Sequence, residues 1–392
     1  MRTRTFLLKL AAASALLCAP ACGLRDRAEP PTPGAPAPDA GAGTDPVLPA
    51  DAGVACSQAG LEALELRMGQ LLDQAANDPG VSSEQAYTLM LEREDGRTFV
   101  HSQGGSSPAT RCESASTAKW VTATVILDLV DQGKLALSTS ASARMPLTWK
   151  DPAVTLEHLL SFRSGYAKEP LCLHLAGANF RNCVQSIYEK NAAGAPTPGT
   201  RFEYSGTHLQ VAGLMAIQSV PTAQSWGDVF SAFKARTGLF PDSTYDLPSA
   251  TNPRLGGGMH WTAQDYFGFL RALYRGTVLS AASRSTLMEN HRGAAVPTAS
   301  PVLDRLGEDW AYGLGNWLEC PGAKGGVSYD CGSGHRNSSP GAYGAYPFID
   351  FDHQYFGILA RQGAVGTFHE GVAMFRSIQA LSEQWAANAC PP

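Results

Sequence analysis

The chain has no surplus of positive charge: 30 Lys and Arg stand against 35 Asp and Glu, for a net charge of -5. That balance cannot neutralise a phosphate backbone, so nucleic acid is excluded as an expected partner. Long apolar runs are also missing. The most apolar stretch, Phe6 to Leu17, is too short to span a bilayer. The nine cysteines include no Cys-x-x-Cys pair, and Cys and His do not fall at zinc-ligand spacing. Structural disulfides are therefore expected, with no metal and no cofactor. No Gly-x-Ser-x-Gly elbow occurs, which argues against one large class of serine esterases. No internal repeat is evident. The 392 residues are 44% hydrophobic and 17% charged, a globular composition that excludes a wholly disordered or fibrous chain.

The N-terminus reads as an export signal. Arg2, Arg4 and Lys9 supply positive charge around the short apolar run. Ala19-Pro20-Ala21 is a small-residue cleavage context, and Cys22 follows it. A Cys directly after the cut resembles a bacterial lipoprotein box, although Ala19 stands where Leu is usual. Simple cleavage to a soluble periplasmic protein is the plainer alternative. The reading is a signal peptide over 1–21 and a lipidated Cys22 opening a tether that runs to residue 52. Seven prolines among small and polar residues in 23–52 would keep that tether extended. The globular domain is then 53–392. The expected location is a membrane-attached lipoprotein facing the periplasm or the cell surface.

Export permits disulfides. Cys172 and Cys183 bracket one short loop, and Cys320 and Cys331 another. Cys56 precedes the first expected helix, Cys390 ends the last, and Cys112 is left over.

Apolar residues at helical spacing predict a helix over 61–76. Residues 86–94 and 98–100, joined through Asp95-Gly96, predict a β-hairpin. Helical periodicity returns over 117–135, and the middle, from about 150 to 290, is mostly helical between Gly/Pro loops. Strand patterns follow at 312–317, 343–349 and 355–360, with a closing helix over 371–388. Strands at both ends with helices between them imply one sheet built from both chain ends.

One constellation carries chemistry. Ser116-Thr117-Ala118-Lys119 opens the 117–135 helix, so Ser116 and Lys119 share a face. A serine hydroxyl needs a neighbouring base to act as a nucleophile, and the Lys amine is in reach. The helix start adds N–H groups and a positive field that favour an oxyanion. Ser114 competes as the helix cap, which would leave Ser116 a first-turn residue. Tyr204, in the run 198–205, can serve as a general base if nearby cations lower its pKa. A third element, Gly334-His335-Arg336-Asn337-Ser338-Ser339-Pro340-Gly341, leads into the 343–349 strand.

Ser116 to Lys119, Thr155 to Gly165 and Pro198 to Ser205 together resemble the serine β-lactamase and penicillin-binding-protein superfamily. Within it, the branch of class C β-lactamases, D-Ala-D-Ala carboxypeptidases and related esterases is most similar. Gly256 to Asp265 and Tyr312-Gly313-Leu314-Gly315 match that family's punctuation, and the resemblance spans about 57–388. It implies an α/β fold: an antiparallel sheet flanked by helices, with the terminal helices on one face and the 117–135 helix beneath. An all-helical second lobe would span about 145 to 300. It also implies that the first and last helices lie side by side, which would pair Cys56 with Cys390. Cys172–Cys183 and Cys320–Cys331 are the other expected bridges, with Cys112 a buried thiol.

The resemblance further implies roles. Ser116 would be the acylated nucleophile, and Lys119 would ease its deprotonation and keep Tyr204 poised. Tyr204 would shuttle the proton, and His335 would hold substrate and the charge network. The N–H groups of Ser116 and Ser338 would form the oxyanion hole. Gly206 and Asn337 stand at two substrate-facing positions where the family carries Asn and Gly. Lys324-Gly325-Gly326 is a rival third element; His335 is preferred because Pro340-Gly341 then falls where the family's strand places it. The expected function is that of an exported serine hydrolase forming an acyl-enzyme on an ester, amide or D-Ala-D-Ala-type substrate. Its partners would be a small-molecule or peptidoglycan-type acyl substrate and, through the anchor, a membrane. The alternative is a non-catalytic, lipid-tethered binding protein on the same fold.

Overall fold

The computed structural model describes residues 55–145, 149, 151, 153–320 and 336–390. The leader, Cys22, the tether, Lys324, Cys331 and His335 lie outside the described residues.

The chain opens with α1 (Gln58–Asn77), capped by Ser57, whose hydroxyl accepts from Gly60 N–H. The hairpin β1 (Tyr87–Arg93) and β2 (Thr98–Gln103) follows, turning at Asp95-Gly96 as its sequence predicts. Strand β3 (Arg111–Glu113) leads through a 3-10 turn, Ala115–Thr117, into α2 (Ala118–Asp131). The lobe that follows contains α3 (Leu156–Leu160), α4 (Phe180–Asn191), β4 (Arg201–Glu203), α5 (Thr207–Ser219) and α6 (Trp226–Thr237). It continues through β5 (Thr244–Tyr245), β6 (Met259–Thr262), α7 (Ala263–Tyr274), α8 (Ala281–Met288), β7 (Val296–Ala299) and α9 (Pro301–Leu306). The chain returns to the sheet with β8 (Ala311–Tyr312), β9 (Trp317–Leu318), β10 (Arg336–Ser338), β11 (Tyr346–Asp350) and β12 (Tyr355–Arg361). Helices α10 (Phe368–Arg376) and α11 (Gln379–Ala386) close it.

The main sheet runs β2-β1-β12-β11-β10-β9-β8, and its pairings are antiparallel. Both chain ends therefore build it, as expected. Helices α1, α10 and α11 pack together over one face, while α7 lies against β11, β12 and β1 on the other. With both faces covered, every residue of β1 and β12 is buried, although β1 reads as alternating in sequence. Glu92 of β1 is buried with them, and Arg271 and Arg275 of α7 reach its carboxylate at 2.7 and 3.0 Å.

The structure corrects several expectations. The helix against the sheet is α7 and not α2, which packs on α5, α6 and α8. Residues 118–129 of α2 are all buried, so it forms the centre of the molecule rather than a one-sided layer. The lobe also carries short strands within its helical frame: β3-β6-β5 form a small sheet and β4 pairs in parallel with β7. The stretch 312–317 is a tight hairpin, β8 to β9, because Gly313 N–H turns back to Asn316 O at 2.8 Å. The closing helix breaks between α10 and α11 at Ser377 and Ile378.

Cys56 and Cys390 are bonded, with Cα atoms 4.9 Å apart and a sequence separation of 334. The Cys172–Cys183 bond closes an 11-residue separation, and Cys112 is a buried free thiol. Cys320 is disulfide-bonded too, while its expected partner lies outside the described residues. Chain-entropy arguments put a bridge over so long a loop at about 5 kcal/mol, with observed values from near zero up to that limit. The Cys56→Ser, Cys390→Ser double variant is expected to lose about 2–5 kcal/mol in a urea melt. An unchanged midpoint would show that α1 and α11 hold the termini without it.

Candidate active site

The site lies where α2 begins, between the sheet and the lobe. Ser114 does not cap the helix. Its N–H donates to Met259 O at 2.7 Å and its hydroxyl accepts from Met259 N–H at 2.9 Å, tying β3 to β6. Ala115 takes a positive φ of 40°. This conformation is costly for a residue with a Cβ, and it marks a backbone held by its surroundings. Those surroundings are specific. Thr117 Oγ1 donates to Ser114 O and accepts from Trp261 Nε1, each at 2.9 Å, and Tyr266 hydroxyl donates to Thr117 O at 2.9 Å. Ser116 is left half-buried at the mouth of a cavity.

Lys119, one turn on, is 5% exposed. Its Nζ lies 2.9 Å from Ser116 Oγ, 2.7 Å from Gly256 O and 4.8 Å from the centre of the Tyr204 ring. Burial pulls its pKa down to about 7, with Glu169 pulling upward and Arg254 further downward. The amine is thus about half uncharged at neutrality and mostly uncharged above it, within hydrogen-bond reach of the serine hydroxyl. Glycine makes the approach of Gly256 O possible: a Cβ there would sit 3.0 Å from Gly206 Cα and 3.5 Å from Lys119 Nζ.

Tyr204 is held by an aromatic cage. Its ring stacks on Trp317 at 5.1 Å and 18°, and meets Phe162 edge-on at 5.4 Å. Its N–H donates to Ala299 O on β7. Phe162 belongs to the Thr155–Gly165 motif, and its carbonyl accepts from Glu203 N–H at 3.0 Å. That motif therefore works as a brace for Tyr204. His208 completes it, stacked on Phe162, with its Nε2 2.8 Å from Glu203 O and its pKa pulled down to about 4 by burial. Burial pushes the Tyr204 phenol up to about 12, against hydrogen bonds with Ser116 and Trp317 that lower it. The expected cation-lowered phenol is not found, because burial of the phenol outweighs the hydrogen bonds that lower it. Tyr204 is a protonated phenol at neutral pH, and Lys119 is the group poised to accept a proton.

The third element differs more. Ser339 N–H donates to Pro347 O on β11, so by ladder alternation the N–H of Ser338 faces β9, where Trp317 is its paired residue. Ser339 hydroxyl donates to Ser116 O at 3.1 Å. The strand-side wall of the cavity beside Ser116 is made by Pro340 and Ala342, and Ser338 does not line it. Asn337 is buried and turned inward, donating to Asn316 Oδ1 at 2.8 Å and Met288 O at 3.1 Å. Its amide braces the β8–β9 hairpin and does not reach substrate space. Gly206 does line the cavity, and Glu169 closes over it: Glu169 Oε1 accepts from Gly206 N–H and Ser205 hydroxyl, both at 3.2 Å.

Ser116 separates two chambers. One, of about 250 Å³, is the more polar of the two and includes Lys119, Glu169, His174, Gly206, Arg254 and Tyr343. The other, of about 410 Å³, is largely apolar, with Tyr204, Val302, Trp317, Pro340 and Phe368 among its walls. Sequence reasoning missed Glu169, Arg254 and Trp317. Only Trp317 carried a signal, as the last residue of the 312–317 strand pattern. Among the described residues, Asp350, His353 and Glu383 come close enough to share a metal. Arg336 already stands there, 2.7 Å from Asp350 and 3.5 Å from Glu383.

The hairpin that carries Trp317 has no room to move. A Cβ on Gly315 would lie 2.5 Å from Lys119 O and 2.8 Å from Ala123 Cβ, and its φ is 73°. Gly315→Ala is expected to destabilise the protein by about 2–3 kcal/mol, from backbone strain plus the clash. A thermal melt within a degree of wild type would contradict this contact.

A sheet drawn from both chain ends over a helical lobe, with Ser-x-x-Lys at the head of the central helix, defines the α/β serine-hydrolase fold of penicillin-recognising proteins. The Beta-lactamase family model matches residues 70–376, and the chain belongs to that family. A candidate beta-lactamase from Bacteroides dorei is similar in structure at a TM-score of 0.67 and 24% identity, over 82% of this chain and 98% of that one. EstCE1, a hydrolase with promiscuous acyltransferase activity, is similar at 0.62 and 16%, over 82% and 98%. The D-amino acid amidase from Ochrobactrum anthropi SV3 is similar at 0.61 and 18%, over 81% and 99%.

Proposed function

We propose that the protein is an exported serine hydrolase that forms an acyl-enzyme at Ser116 on an ester, amide or D-Ala-D-Ala-type substrate. The observation that carries this reading is a buried amine with a pKa near 7, 2.9 Å from a half-exposed serine hydroxyl. Family membership supports it, and so do similar structures that include a hydrolase with acyltransferase activity and an amidase.

Neutral Lys119 takes the Ser116 proton as Oγ bonds to the acyl carbonyl carbon. The resulting oxyanion is stabilised by the Ser116 N–H and the positive end of α2. Tyr204 then gives its phenolic proton to the leaving group and regains one from the Lys119 ammonium. A water, deprotonated through the same pair, attacks the acyl carbon, and Ser116 Oγ leaves with the proton. Export and lipid anchoring rest on the leader, Cys22 and the Pro-rich tether, which would let the domain work away from a membrane surface. His335 stays in this scheme as the proposed substrate-holding residue of the third element.

A panel of p-nitrophenyl esters, a D-Ala-D-Ala peptide and a chromogenic cephalosporin tests the reading. Turnover of at least one is expected. Failure on every member would favour the non-catalytic binding protein.

A further inference from the structure

The polar chamber holds a cation that makes no ion pair among the described residues. Arg254 lines it, and its backbone is clamped. Arg254 N–H donates to Leu247 O at 2.8 Å, and its carbonyl accepts from Gly257 and Gly258. Gln210 holds the neighbours on both sides, donating to Pro253 O and accepting from Leu255 N–H. The guanidinium makes no hydrogen bond or ion pair among the described residues, and its Nε is sealed from solvent with no partner. Three other arginines also have an unpartnered buried Nε: Arg292, Arg336 and Arg361. Each of those places its terminal nitrogens on a carboxylate, Asp309, Asp350 or Glu370. Arg254 has none. Its charge is nonetheless felt at the site, lowering the pKa of both Lys119 and Tyr343.

Glu169, the carboxylate lining the same chamber, is already supplied with donors from Ser205 and Gly206, and His174 Nε2 lies 3.6 Å from its other oxygen. Glu169 is therefore met and Arg254 is not. A half-buried guanidinium whose Nε is sealed without a partner, and whose terminal nitrogens make no ion pair among the described residues, is open to an anion, and its planar fork suits a carboxylate.

We propose that Arg254 binds a carboxylate on the substrate, so that the polar chamber selects acyl compounds with an acidic end, such as half-esters or half-amides of short dicarboxylic acids. This rests on the acyl-enzyme reading of Ser116 for its chemistry, but not for its binding. Another segment of the same chamber's wall is fixed. Cys172–Cys183 and the Asn252 amide, which donates to Cys172 O and Leu175 O, hold the stretch that supplies Glu169, Leu173 and His174.

The first test is the ratio of kcat/KM for mono-p-nitrophenyl glutarate over p-nitrophenyl butyrate. Wild type is expected to favour the anionic ester, and Arg254→Ala to lower the ratio about 10- to 100-fold, mainly through KM. Arg254→Lys, which keeps the charge and loses the fork, should fall between them. A ratio cancels any change that Arg254 causes in Lys119 itself. The second test needs no catalysis: calorimetric binding of glutarate to Ser116→Ala protein with and without Arg254→Ala. If neither ester is turned over but glutarate binds in an Arg254-dependent way, the inference stands and the catalytic reading falls. If the ratio and the binding are both indifferent to Arg254, the inference is overturned.

Discussion

Ser116→Ala is expected to lower kcat/KM on a p-nitrophenyl ester by about four orders of magnitude or more, with the fold intact. Loss of a nucleophile removes the covalent route altogether and leaves only what binding and oxyanion stabilisation supply. The size of the effect follows from isolation of the hydroxyl. Ser116 Oγ is a hydroxyl 2.9 Å from the Lys119 amine, while the neighbouring serines are otherwise engaged. Ser114 is committed to β6 and Ser339 to the Ser116 carbonyl. The Oγ carries no packing load, so the melting temperature of the variant should stay close to wild type. Wild-type rates in Ser116→Ala would place the chemistry elsewhere.

Lys119→Ala and Tyr204→Phe are each expected to cut turnover by about 10²–10⁴, and the double variant to be little worse than the poorer single one. The reason is that the amine and the phenol handle the same proton. Their pH behaviour gives the sharper signature. Lys119 is charged below about 7 and neutral above it, and only the neutral amine accepts the serine proton. The profile of kcat/KM should therefore rise through about pH 7 and level off above. Tyr204, held up near 12, should cause no rise in that range. The neighbours set the position of the limb. Glu169 pulls the Lys119 pKa up, so Glu169→Gln should move the limb to lower pH, while Arg254 pulls it down, so Arg254→Ala should move it to higher pH. A profile flat from pH 6 to 8 would remove Lys119 as the base.

Local order in the chain made the frame and the candidate serine readable. The hairpin at Asp95-Gly96, the periodicity of α1 and α2 and the Ser116–Lys119 spacing each depend on neighbours in sequence. The misread parts depend on neighbours in space. α2 looks like an amphipathic helix, but residues from α5, α6 and α8 bury it on all sides, which periodicity cannot report. Ser338 and Asn337 were placed by motif alignment, and a strand register decided otherwise, turning one N–H to β9 and one amide to Asn316. Glu169 and Arg254 had no signal at all. They lie far from Ser116 in the chain, and only folding of the lobe brings both into one chamber with it. The Tyr204 pKa was misjudged for a related reason. A nearby lysine suggests a lowered phenol, whereas burial of the phenol itself raises it.

The central claim is that Ser116 becomes acylated. Wild-type protein would be incubated with a fluorophosphonate probe, digested and mapped by mass spectrometry. The account predicts one adduct, on the peptide containing Ser116, with labelling that rises with pH through about 7 as Lys119 discharges. An adduct on any other serine, or an unlabelled protein that still turns over an ester, would contradict it.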